Sequence, residues 1–186
     1  MAELTFTYGA MGSCKTAYAL MMAHSHNERH RDALLVKPKI DTRDGQRIIK
    51  SRAGLQHECI LLEELLTLTN EEIQHYKLII VDEVQFASKE QIDFLAHIVD
   101  DLNINVECFG LRTDFQGNLF EGANYLFSCA DETNQLPSVC WCGRPAIFNA
   151  RIHNNKVIKH GEQIQLGGDS SYISLCRKHY NEGNLG

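Results

Sequence analysis

The chain has 186 residues, 44% of them hydrophobic and 23% charged, enough for one sizeable core and a second small module. A net charge of −6 argues against a non-specific nucleic-acid binder, which carries a basic balance, but leaves room for an anionic small ligand. No apolar run approaches the roughly 20 residues that span a bilayer, and "MAELTFTYG" lacks the basic and apolar regions of a signal peptide, so a cytoplasmic location is expected.

"LTFTY" (4–8) predicts a short strand running directly into a glycine loop. "KTAYALMMAHSHNERH" (15–30) predicts a helix with Ala17, Leu20, Met21 and His24 along one face. "ALLVK" (33–37) predicts a second strand, closed by Pro38, and "KLIIVDE" (77–83) a strand buried on both faces. A helix at about 89–101 and a strand "INVECFG" (104–110) follow. Strands separated by helical crossovers predict a parallel α/β sheet, and ligands of such sheets bind beyond the carboxyl ends of the strands. After about residue 130 the texture changes. "ETNQLPSVCWCGRP" carries turn residues and metal-type ligands, and residues 149–176 read as short strands joined by Asn-Asn and Gly-Gly turns. A nucleotide-binding α/β unit at 1–134 and a smaller unit at 135–186 are therefore expected.

"YGAMGSCKT" (8–16) matches a phosphate-binding loop, G-x-x-x-x-G-K-[ST], except that Cys14 replaces the second glycine. Such a loop works because backbone N–H groups and a helix N-terminus converge on phosphates, with the lysine as a mobile charge and the hydroxyl on Mg²⁺. Asp82 ends an apolar strand, where a Mg²⁺-organising carboxylate belongs, and Glu83 beside it suits a base for an attacking alcohol or water. The alternative for this pair is a solvated strand end. At position 14 a Cβ hinders a glycine conformation at a cost of about 1–3 kcal/mol, which a domain of this size absorbs. Displacement of the phosphate cradle is the larger concern, since about 1 Å lowers rate roughly a hundredfold. A thiol there is either a small tolerated residue or a site prone to oxidation and alkylation.

Seven cysteines in a chain expected to be cytoplasmic read as thiols or metal ligands before disulfides. Cys140-x-Cys142 with Cys176-x-x-His179 offers four N/S ligands for a tetrahedral Zn²⁺. The spacing alone leaves zinc and buried free thiols both open, with His153 and His160 as substitute ligands.

Taken together, "YGAMGSCKT", "KPKIDTR" (37–43), "SRAGL" (51–55), "VDEVQF" (81–86), "GLRTDFQGNLF" (110–120), "CWCGRPA" (140–146), "GEQIQLGG" (161–168) and "YISLCRKHY" (172–180) resemble the type II thymidine kinases. These are the tetrameric, zinc-containing class, and the resemblance is to their bacterial branch over nearly the whole chain. It implies a P-loop, RecA-like parallel sheet with a small zinc-binding lasso domain. It further implies transfer of the γ-phosphate of ATP to the 5′-hydroxyl of thymidine or deoxyuridine, a homotetramer, and dTTP as feedback inhibitor. ATP and Mg²⁺ would be held by Gly9, Ala10, Met11, Gly12, Ser13, Cys14, Lys15 and Thr16, with Asp82 on the metal. Asp41, Arg43, Arg52 and Gln85 would lie near the phosphates, and Glu83 would be the base. Met11, Phe86, Leu111, Phe115, Phe120 and Tyr172 match the nucleoside pocket, with the backbone of Gln165, Leu166, Gly167 and Gly168 holding the base. Without the resemblance, each of these aromatics would read as core. The same resemblance implies Cys140, Cys142, Cys176 and His179 as a structural zinc site at the foot of the lid. Two competing functions are a non-catalytic nucleotide-binding homologue weakened at Cys14, and a zinc-bearing P-loop ATPase acting on nucleic acid. The latter predicts a basic, aromatic-interleaved stripe, which this acidic chain does not show.

Overall fold

The computed structural model describes residues 1–163 and 172–186. Six parallel strands form the main sheet: β1 (Leu4–Tyr8), β2 (Ala33–Lys37), β5 (Ile60–Leu61), β6 (Leu78–Val81), β7 (Asn105–Gly110) and β8 (Glu132–Gln135). Their spatial order is β5-β2-β6-β7-β1-β8. One strand, β7, therefore stands between the strand that enters the glycine loop and the strand that ends at Asp82.

Alternation along the strands divides the core between two faces. Phe6, Val36, Ile79, Val81, Val106 and Cys108 face one way. Ile92, Leu95 and Ile98 of helix α4 (Lys89–Asp100) and Ala123 and Leu126 of helix α5 (Glu121–Cys129) pack there. Leu35, Ile80 and Phe109 face the other way, against Ala19, Leu20 and Ala23 of helix α1 (Lys15–Asn27). "LIIV" is fully buried because it lies mid-sheet with helices on both sides. Helix α4 begins where Ser88 and Gln91 form a reciprocal cap: the Gln91 N–H donates to Ser88 Oγ (3.3 Å) and the Ser88 N–H to Gln91 Oε1 (3.0 Å).

Two expectations are corrected. Helix α1 buries Lys15, Ala19, Leu20 and Ala23, while Met21 is 60% exposed and His24 points outward. The helix grows out of the loop with Lys15 turned inward, and positions 15, 19 and 23 share that face. Alanines there let the helix sit close to the sheet. Residues 132–135 are a strand rather than turns: Thr5, Phe6, Thr7 and Tyr8 pair with Glu132, Thr133, Asn134 and Gln135. All four edge residues are exposed, so no apolar alternation marks them.

The crossover from β2 to β6 carries a hairpin, β3 (Ile48–Lys50) with β4 (Gln56–Glu58), then β5 and the short helices α2 (Leu62–Leu65) and α3 (Asn70–Ile73). The late part of the chain is a second, antiparallel sheet, in order β10-β9-β11, from β9 (Phe148–His153), β10 (Lys156–Ile158) and β11 (Tyr172–Leu175). Asn154 and Asn155 join β9 to β10 with φ of 49° and 55°, the left-handed pair a two-residue hairpin turn requires. Cys140, Ala146, Ala150, Leu175, Cys176 and Tyr180 form its own small core, closed by helix α6 (Arg177–Glu182). The expected Gly-Gly turn at 167–168 lies outside the described residues.

Candidate active site and metal centre

The loop between β1 and α1 wraps around the lysine. Lys15 is 9% exposed, and its Nζ donates to Gly9 O (3.0 Å), Ala10 O (3.0 Å) and Ser13 Oγ (3.2 Å). Burial lowers its pKa, and the nearby Glu83 and Asp82 carboxylates partly offset that. A Cβ at Gly9 would stand 2.8 Å from Leu136 O, so only glycine fits. Cys14 has φ 62° and ψ 22°, the left-handed region, with its side chain exposed. The missing glycine thus falls where glycine is conformationally favoured.

Asp82 and Glu83 leave β6 at the same end of the sheet. Asp82 is buried and hydrogen-bonds the Thr16 side chain, closing the gap across β7. Its pKa is raised by burial first and by the Glu83 charge second, against the pull of Thr16 and Lys15. Glu83 is also left-handed, at φ 54°. Its Oε1 pairs with Arg43, and its Oε2 accepts from Gln85 Nε2 (2.6 Å). Arg43 Nε also meets Asp41 Oδ1 at 2.8 Å, so one guanidinium bridges two carboxylates. Burial would raise the Asp41 pKa, but Arg43 and then Lys37 hold it below the ordinary value. Arg52 sits in the turn between β3 and β4, and its charge reaches Lys15. The structure thus gathers Lys15, Thr16, Asp41, Arg43, Arg52, Asp82, Glu83 and Gln85 at the carboxyl ends of the strands, linked by hydrogen bonds and mutual charge.

The aromatic candidates divide. Gln85 Oε1 accepts from the Leu111 N–H (2.9 Å), linking the acidic strand end to the loop after β7. Phe86 is half-buried and packs edge-on against Phe120 (5.7 Å between centroids), and Phe120 belongs to the main core. Phe115 is buried under the Arg151 guanidinium, 3.6 Å from the ring centroid. Arg151 Nε donates to Tyr172 Oη (2.8 Å), and its other nitrogens donate to Glu162 O (2.9 Å) and Gln163 O (3.3 Å). Gln165, Leu166, Gly167 and Gly168 lie outside the described residues.

Sequence reasoning missed four residues here. Lys37 is 1% exposed and donates to Gly45 O (2.7 Å) and Ile48 O (2.8 Å), fastening the segment that carries Asp41 and Arg43. Arg151, Asn149 and Asp114 tie the loop at 111–120 to the late sheet; Asn149 Nδ2 donates to Thr113 O (3.3 Å) and Asp114 Oδ2 accepts from Gln163 Nε2 (2.9 Å). A charged or amide side chain alternating with apolar ones inside "FNARI" was the available signal. Elsewhere, a groove of about 500 Å³ opens at the opposite ends of the strands, and none of the residues lining it is a carboxylate.

Cys140, Cys142, Cys176 and His179 converge, with all ligand atoms within 4.8 Å of one another. The Sγ atoms of Cys140 and Cys176 lie 3.4 and 3.6 Å from His179 Nδ1, and Cys142 Sγ lies 4.0 Å from Cys176 Sγ. Zn–S of about 2.3 Å and Zn–N of about 2.0 Å imply tetrahedral edges of roughly 3.5–3.8 Å, so the residues fit zinc. Burial opposes ionisation of Cys140, but N–H groups of Cys142 and Cys176 and the His179 ring bring its thiol down to about 6. Trp141 stacks on the His179 ring at 4.3 Å, covering the ligand.

A parallel sheet with a lysine-bearing loop and a Thr16–Asp82 pair across the intervening strand defines a P-loop α/β protein, here with a Cys₃His centre. The family model "Thymidine kinase" matches residues 2–180. A thymidine kinase of Zymomonas mobilis is 44% identical, over 98% of this chain and 97% of its own. One of Haemophilus influenzae is 42% identical over the same shares, and one of Streptococcus pyogenes 39% over 97% of each. The chain belongs to the thymidine kinase family. The solved Pif1 helicase of Candida albicans aligns with a TM-score of 0.43 at 12% identity, over 73% of this chain and 36% of its own, too distant to carry fold or function across.

Proposed function

We propose that the chain transfers the γ-phosphate of ATP to the 5′-hydroxyl of thymidine or deoxyuridine, giving the monophosphate in nucleoside salvage. The observation that carries this is the Glu83 carboxylate, oriented by Arg43 and Gln85 beside buried Asp82 and near enough to Lys15 for its charge to be felt there. A carboxylate held next to a phosphate loop can accept the hydroxyl proton as the oxygen attacks the γ-phosphorus. The β,γ-bridging P–O bond breaks and ADP leaves. Glu83 ends protonated and returns its proton to solvent.

The loop N–H groups and Lys15 receive the phosphates, which requires Lys15 Nζ to exchange carbonyl partners for phosphate oxygens. Thr16 and Asp82 supply hard oxygen ligands suited to Mg²⁺, which when bound neutralises phosphate charge. Arg43 and Arg52 lie close enough to add positive charge around the transferring group. Leu111, Phe86 and Tyr172 wall the nucleoside, Phe115 and Phe120 stiffen that wall from the core, and the base is assigned to backbone groups of Gln165, Leu166, Gly167 and Gly168. Zinc at Cys140, Cys142, Cys176 and His179 is structural and clips the base of residues 135–186, while residues 1–134 carry the chemistry. The intact Lys15, Thr16, Asp82 and Glu83 argue against a non-catalytic homologue. A homotetramer, dTTP feedback and a cytoplasmic location complete the proposal; sedimentation gives the first, and inhibition by dTTP the second. No helix among the described residues is long and apolar enough to cross a membrane.

Phosphate transfer from [γ-³²P]ATP to thymidine tests the reaction. Glu83→Gln is expected to lower kcat by about 10²–10⁴, the usual contribution of a general base. Transfer surviving that change refutes Glu83 as the base.

A further inference from the structure

The Gly9 N–H donates to Gly110 O (3.3 Å) of the neighbouring strand, and within the glycine loop Ser13 N–H donates to Ala10 O (3.2 Å) and Lys15 Nζ to Gly9 O and Ala10 O. Met11 is different. Its N–H donates to Asn149 Oδ1 (2.7 Å), and its carbonyl accepts from Ser174 Oγ (2.5 Å) and Ser138 Oγ (3.2 Å). All three partners come from late in the chain, 127 to 163 residues away.

The N–H and C=O of Met11 belong to the two peptide planes flanking its Cα, so both planes are held from outside the loop. Asn149 is 3% exposed and spends its amide nitrogen on Thr113 O, which leaves its oxygen aimed at Met11. Ser174 shares β11 with Tyr172, two residues earlier and therefore on the same face. Phosphate binding in such a loop depends on where successive backbone N–H groups point, and that direction turns with each peptide plane.

We propose that Asn149, Ser138 and Ser174 are positioning residues for the nucleotide: through Met11, the metal-bearing module sets the geometry of the phosphate loop. The inference rests on the reading of this loop as the ATP site. The late module then serves two ends, the nucleoside side through Tyr172 and the phosphate side through Ser174. Severing the tether relaxes the cradle without removing any group that touches phosphate.

Ser174→Ala and the Ser138→Ala/Ser174→Ala pair test this, with Ser174→Thr as the variant that keeps the hydroxyl. Calorimetric titration with Mg-ADP is expected to show a Kd raised about three- to tenfold by the single alanine and further by the pair, the range of one and two hydrogen bonds. KM for ATP rises with it, KM for thymidine stays within about twofold, and Ser174→Thr returns Mg-ADP affinity to near that of the parent. An unchanged Mg-ADP affinity in the double variant overturns the proposal. So does a thymidine KM that rises as much as that for ATP, which makes these residues plain braces of the late module. A parent chain that binds Mg-ADP but does not phosphorylate thymidine defeats the proposed reaction and leaves this test standing; one that binds no Mg-ADP defeats both.

Discussion

Cys14 and Glu83 are both non-glycine residues with left-handed backbones, at φ 62° and 54°. A non-glycine residue there costs about 1–3 kcal/mol. For Cys14→Gly, relief of that strain is opposed by about 0.4–1 kcal/mol from a freer unfolded chain. Stability is therefore expected to rise by about 0–2.5 kcal/mol in urea titrations, while ATP affinity or turnover rises as the cradle loses a Cβ. Equal or lower activity in the glycine variant sinks the idea that Cys14 is a handicap. Cys14 is exposed, whereas Cys59 and Cys108 are buried, so iodoacetamide is expected to label Cys14 faster than either, and Mg-ATP to protect it. Labelling unaffected by Mg-ATP counts against phosphate binding at this loop.

Glu107 offers a pH prediction. It lies in a cross-strand row with Thr5 and Glu132. Burial first, then the charges of Glu132 and Glu3, push its carboxyl up to about 7. The folded value exceeds the ordinary one of about 4.3. Stability is thus fully present at low pH and is lost as pH rises through about 7. Glu107→Gln is expected to match the parent at about pH 4 and exceed it by about 1–2 kcal/mol at about pH 8. An equal gain at both pH values contradicts the charge argument.

At the scale of elements, helix α5 and the turn 84–86 form a tight joint near the site. A Cβ on Gly122 would come within 2.7 Å of Val84 O and 2.8 Å of Ala87 O, both backbone atoms that have little room to yield. Gly122→Ala is expected to destabilise by about 1–3 kcal/mol, the cost of overpacking, and to lower kcat by displacing Gln85 from Glu83. Denaturant midpoints and kcat measured together check it; a stable variant with reduced kcat would still locate the effect at Gln85, while full activity refutes the joint. No periodicity announced this contact. Helix α1 shows the same limit: its apolar residues permit two faces, and the buried one follows from Lys15 entering the loop.

Over the whole molecule, two sheets with separate cores meet at the phosphate loop and at the loop 111–120. The Cys₃His cluster joins residues 140–142 to 176–179 and so closes the chain between them. Protein purified without chelator is expected to carry about one zinc per chain by elemental analysis. Cys142→Ala should lose it and unfold the late sheet before the main one, because metal affinity in such a site is folding free energy. Absence of zinc in the parent rules the site out.

The sequence by itself determined the strands at 4–8, 33–37, 77–83 and 104–110, the loop and its acidic partners, and the short-spaced pairs Cys140/Cys142 and Cys176/His179, whose convergence on one point is a matter of the structure. Each is written in local period, turn chemistry or short spacing, which act within a few residues. Only the tertiary structure decided the edge strand at 132–135, the face of α1, the burial of Lys37, and the hold of Asn149 and Ser174 on Met11. Those rest on backbone pairing of exposed polar residues or on contacts between distant segments. A hydrogen bond across more than a hundred residues leaves no periodicity behind it, because its geometry exists only once both sheets have formed.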